Sequence, residues 1–64
     1  MIELTRLGGE TLVVNADLIE TVETTPDTVV SLTTGRKLVV RESVDEVIER
    51  VVAYRRRLLA GREQ

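Results

Sequence analysis

A chain of 64 residues with 9 basic and 11 acidic side chains, one Tyr, one Pro and no Cys, His, Trp or Phe has room for one small domain, expected over residues 1–64. It excludes a disulfide framework, a thiol nucleophile, an imidazole base and a Cys/His zinc site, so an enzyme is not expected, nor any metal or cofactor. No apolar run approaches the roughly 20 residues that cross a bilayer, which makes a soluble cytoplasmic protein the expectation.

The first strand is expected over Ile2–Arg6, with Ile2 and Leu4 on one face and Glu3 and Thr5 on the other. Gly8-Gly9 supplies the positive φ of a tight hairpin, and Thr11–Val14 returns antiparallel. Asn15-Ala16-Asp17 is a turn. Ile19–Thr24 is a third strand, with Glu20 and Glu23 on a solvated side. Thr25-Pro26-Asp27 is a turn with a mechanism, since Pro26 presets φ and Asp27 bonds its own backbone. Thr28–Leu32 and Lys37–Arg41 form a second hairpin, with Gly35 in the left-handed position.

The helix is the best specified element, expected over about residues 44–60. Ser43 and Glu46 form a capping box, and Asp45 and Glu46 sit where the helix dipole favours them. Val44, Val47, Ile48, Val51, Tyr54, Leu58 and Leu59 recur at three- and four-residue spacing, a stripe that Val52 widens and that should lie against the sheet. Gly61 is the expected C-cap. The expected fold is therefore α+β: a small curved antiparallel five-stranded sheet or open barrel, with strands over about residues 2–41, followed by one C-terminal helix.

Apolar residues make up 42% of the chain, mostly Val and Leu, so the core must be thin. At about 25 cal/mol per Å², burial in a domain of this size barely offsets chain entropy. Self-association is the expected further source of stability, through the exposed edges of five short strands.

Charge is uneven: residues 1–49 carry 4 basic and 10 acidic groups, net −6, and residues 50–64 carry five arginines against Glu63, net +4. The acidic groups Glu20 with Glu23, and Asp45 with Glu46 and Glu49, have no aromatic walls to desolvate them for acid–base work. Gly8-Gly9 lacks the helix start and Lys of a phosphate loop. The basic run Arg55-Arg56-Arg57 has two readings, a solvated helix end favoured by the dipole, or a docking site for an acidic protein surface, anionic lipid or RNA phosphate. Leu58 and Leu59 should overhang the sheet, making Arg55, Arg56, Arg57, Leu58 and Leu59 the candidate partner-binding residues.

Five segments in order, Met1–Leu7, Asn15–Glu20, Thr25–Val29, Thr34–Lys37 and Val40–Val47, together resemble the FlbD family of small flagellar proteins, SwrD-like swarming-motility proteins among them. The resemblance runs from Met1 to about Leu58. It implies a non-enzymatic accessory that raises flagellar motor power through the stator units or other flagellar proteins, at the cytoplasmic face of the motor, with peripheral membrane contact as an option. A weaker similarity joins Leu4-Thr5-Arg6, Gly9–Leu12 and Val40-Arg41-Glu42 to the carbon storage regulator CsrA, a five-strand-plus-helix RNA-binding dimer. That resemblance would make Arg6 and Arg41 the RNA-binding residues. Residues 15–38 depart from its pattern, and seven acidic against four basic groups before Val44 disfavour nucleic acid.

Overall fold

The computed structural model describes residues 1–24 and 26–61. The element order is β1 (Ile2–Thr5), β2 (Thr11–Val14), a short 3-10 turn (Ala16–Leu18), β3 (Ile19–Thr24), β4 (Thr28–Leu32), β5 (Lys37–Val40) and α1 (Val44–Gly61). The α+β class and the antiparallel pairing stand, but the single five-stranded sheet or barrel does not. β1 and β2 form one two-stranded sheet, and β3, β4 and β5 form a separate three-stranded sheet in that order.

The reason lies in what satisfies the free edge of β1. At the end of that strand Arg6 forms one isolated antiparallel bridge with Val40, and the Arg41 N–H donates to the Thr5 carbonyl at 2.8 Å. There main-chain pairing to β5 stops. The Thr5 N–H donates instead to Glu42 Oε1 at 2.8 Å, and the Glu3 carbonyl accepts from Arg50 Nη1 at 2.6 Å. Side chains occupy the groups that a continuous sheet would have used, which satisfies the backbone without closing the ladder.

The β1–β2 and β4–β5 hairpins turn at glycine. Among the described residues Gly9 (φ +100°) and Gly35 (φ +94°) have positive φ, whereas Gly8 does not, so the first turn needs a single glycine rather than the pair. Asn15 caps the 3-10 turn, its Oδ1 accepting from the Asp17 N–H at 3.0 Å. Pro26 and Asp27 form a bend; Thr25, the first residue of that expected turn, lies outside the described residues. The β3–β4 ladder shifts register between Ile19 and Thr21, leaving Glu20 unpaired in a bulge.

The core is as thin as the composition requires. Ile2, Leu4, Val14, Ala16, Val30, Leu32, Leu38, Val40 and Val47 are buried, and Leu12, Ile19, Val22, Val51 and Tyr54 pack around them. Ala16 comes from the 3-10 turn and Val47, Val51 and Tyr54 from α1; the rest lie at alternate positions along each strand, the irregularity in β3 apart, so each sheet turns one face inward. The helix begins with the expected capping box: the Glu46 N–H donates to Ser43 Oγ at 3.1 Å, and the Ser43 N–H to Glu46 Oε1 at 3.3 Å. Two expectations for α1 need correction. Gly61 is its last described helical residue rather than a cap beyond it. The apolar stripe does not lie wholly on the sheet either: Val47 is fully buried, but Ile48 and Val52 remain 50% and 38% exposed.

Candidate functional site

The site is assembled by the way α1 is fastened to the rest of the fold. Its first turns carry Val47 and Val51 into the core, and Tyr54 packs against the rim one turn further on. Between them Arg50 Nη1 reaches the Glu3 carbonyl and lies 3.2 Å from Glu42 Oε2. The Glu42 side chain is only 7% exposed and that of Arg50 is 41% exposed. Burial alone would push the Glu42 carboxyl up. Hydrogen bonds from Thr5 and from the Glu42 backbone N–H, with the Arg50 guanidinium nearby, outweigh it and hold the carboxyl below its usual range. One carboxylate just before α1 and one guanidinium on it thus fasten the helix to β1 through Thr5 and Glu3.

Beyond Tyr54 the sheet no longer covers the helix. Arg55, Arg56, Arg57, Leu58, Leu59 and Ala60 are all exposed, with Leu58 at 50% and Leu59 at 62%. Leu58 continues the line of Val47, Val51 and Tyr54 at helical spacing, yet has no sheet beneath it. Arg55, Arg56 and Arg57 form no ion pair among the described residues. The structure therefore brings together the five residues singled out from the sequence as a mixed basic and apolar helix end. On one flank of α1, Arg57 joins Arg50, Ala53, Met1, Glu3 and Val13 around an open groove of about 510 Å³. Met1 and Val13 are 57% and 64% exposed there, so the groove is rimmed by apolar as well as basic groups.

Arg6 and Arg41 also come together, since Arg6 bridges Val40 and Arg41 follows directly. The Arg41 guanidinium, however, turns onto the β1–β2 hairpin, its Nε donating to the Leu7 carbonyl at 3.0 Å. Part of its donor capacity is taken up in holding that turn. Glu20 and Glu23 lie exposed on β3, and among the described residues no group of three metal-ligating side chains converges.

A family model described as flagellar and swarming motility proteins, FlbD, matches residues 1–59. The chain belongs to the FlbD family. The FlbD match takes in both sheets, the Glu42–Arg50 fastening and the helix end through Leu59. The description of the FlbD family associates this chain with flagella and swarming motility. Nothing matches among curated proteins or among solved structures. In this FlbD chain no helix among the described residues is long and apolar enough to cross a membrane.

Proposed function

We propose that this FlbD protein is a non-enzymatic accessory of the bacterial flagellar motor, one that supports motor power and swarming through protein contacts made by the end of α1. The observation that carries the proposal is the exposure of Arg55, Arg56 and Arg57 beside Leu58 and Leu59, past the point where the sheet stops covering the helix. An acidic protein surface with an apolar depression suits such an end: the arginines steer the encounter and the leucines supply buried area. Anionic lipid offers less. Each Arg near a charged leaflet is worth about 1 kcal/mol, so three give only weak attachment, and a protein partner at the cytoplasmic face of the motor, a stator unit among the candidates, dominates.

The test is genetic and mechanical. Deletion of the gene is expected to leave filaments assembled while lowering torque and swarming under load, and Arg55→Glu with Arg57→Glu is expected to reproduce the defect in a protein that still folds. Normal torque in the deletion strain, or loss of filaments, would refute the motor role. If the charge reversal alone is silent, the contact surface is not the helix end and is to be sought on the acidic β3 face around Glu20 and Glu23.

A further inference from the structure

We propose that a second copy of the chain docks antiparallel along the outer flank of α1, forming a two-fold helix pair. The starting point is the failure of the apolar stripe to stay on one face. At about 100° per residue, Val47, Val51, Tyr54 and Leu58 form one line, directed at the sheet. Ile48, Val52 and Leu59 form a second line, within about 40° of one another and roughly a quarter turn away from the first. All three residues of the second line are exposed, at 50%, 38% and 62%. No element among the described residues lies over them, so α1 has two apolar seams and the domain uses one.

The charges beside the second seam indicate what covers it. A shallow groove on this flank is lined by Ile48, Val52 and Ala53 together with one acid, Glu49, and one base, Arg56. Glu49 and Arg56 lie two turns apart on the same side of the seam. When two copies of a helix pair antiparallel about a two-fold axis, residues on the same side of the seam meet their counterparts with the order reversed. Centring the axis between Ala53 and Tyr54 sets Ile48 against the second copy's Leu59 and Val52 beside the second copy's Arg55. It also sets Glu49 near the second copy's Arg56, and Arg56 near the second copy's Glu49. The same rotation places the acidic first half of the helix, Asp45 with Glu49, along the basic second half. A parallel pair would instead turn this side of the seam toward the opposite flank of the second copy, so Glu49 and Arg56 would not face each other's counterparts across it. The Glu49 and Arg56 flank is thus self-complementary in charge in the antiparallel sense, and the pairing leaves Arg57 and Leu58 for another partner. The pairing takes up Arg55, Arg56 and Leu59 of the end proposed for the motor contact; it is argued from the geometry of α1 and does not require the motor role.

Light scattering coupled to gel filtration, with sedimentation equilibrium across a concentration series, tests the pairing. The wild-type chain is expected to move from its 7.2 kDa mass to twice that value as concentration rises. Glu49→Arg and Arg56→Glu each create two like-charge oppositions and are expected to stay monomeric while circular dichroism shows an unchanged fold. Mixing the two variants sets the introduced base of one chain against the introduced acid of the other and leaves the native Arg56 and Glu49 as the second pair across the axis, so a heterodimer is expected to form. Val52→Arg, which buries a base in the seam beside the second copy's Arg55, is expected to abolish pairing in every combination. A wild-type chain that stays monomeric at all concentrations would overturn the proposal. A dimer indifferent to both charge reversals would overturn it too, and would point to pairing through the open edges of β2 and β3. Failure of the mixture to dimerise, when both single variants are folded and the wild type pairs, would exclude the antiparallel register.

Discussion

Replacing Glu42 by Ala removes the buried carboxylate that holds β1 and α1 together, and its cost can be worked from the contacts. The Thr5 N–H, which donates to Glu42 Oε1 at 2.8 Å, is left without an acceptor in a part-buried position, at about 1–3 kcal/mol. Arg50 loses its partner at 3.2 Å but keeps the Glu3 carbonyl and, with 41% of its side chain exposed, solvent. Its share is therefore below about 1 kcal/mol. The total, about 2–3 kcal/mol, is a large part of the roughly 3–10 kcal/mol available to a chain of this length. At about 4–8 °C per kcal/mol for a domain of this size, the melting midpoint should fall by roughly 10–20 °C. Thermal and urea melts followed by far-UV circular dichroism read this directly. Glu42→Gln separates charge from hydrogen bonding, because the amide oxygen still accepts from Thr5. The folded carboxyl titrates below its ordinary value of about 4.5, so its stabilisation is fully present above that pH and is lost as pH falls through the lower, folded value. The gap between wild type and Glu42→Gln should accordingly be widest near neutrality and close in the acid range. Parallel stability curves for the two proteins from neutral to acid pH, or a cost below about 0.5 kcal/mol for Glu42→Ala, would refute this account.

Gly9→Ala should cost about 1–2 kcal/mol, because φ is +100° and the new Cβ would stand 3.4 Å from Arg41 Nη2; Gly8→Ala, in open space, should be neutral within about 0.5 kcal/mol. Leu4 is fully buried, so Leu4→Ala should cost about 3 kcal/mol, measured by urea denaturation, and lower the melting midpoint by roughly 12–24 °C. Ser43→Ala should cost about 1 kcal/mol through loss of the capping box, seen in the same melts. With Arg41 engaged on the Leu7 carbonyl, mobility-shift assays with hairpin RNA at low salt should show no binding; binding that Arg6→Ala and Arg41→Ala remove would favour the RNA reading instead.

Local chemistry made most of the elements legible. β2, β3 and β4 fall on the residues that alternation and turn signals marked, and the helix starts where Ser43 and Glu46 specify it. β1 and β5 each end one residue short of expectation, at Thr5 and Val40. There the chain passes into a bridge and then into side-chain capping, which local propensity does not encode. The division into two sheets was hidden for the same reason. It depends on Glu42 meeting Thr5 and Arg50 meeting Glu3, pairs separated by 37 and 47 residues. In the sequence Glu42 is one acid among several, and Arg50 is one polar position on an amphipathic helix. The candidate site was easier to read, since overhang of Leu58 and Leu59 follows from helix length against strand length. The exposure of Ile48 and Val52 was not, because periodicity marks which residues are apolar and not how wide a face the sheet has to cover.

The fastening of β1 by residues from the far end of the fold also sets a timetable for synthesis. β1 and its hairpin partner β2 are translated first, yet two main-chain groups of β1 find their partners only in Glu42 and Arg50. An isolated two-stranded hairpin is marginal in water, so the opening segment gains little by pairing early. Folding during translation must wait until residues through Arg50 have left the ribosome. Contacts separated by 37 and 47 residues slow folding, because the loop-closure entropy must be met before they form. A pause in translation within α1 would hold the growing chain unfolded, whereas a pause at Gly8 and Gly9 would change nothing.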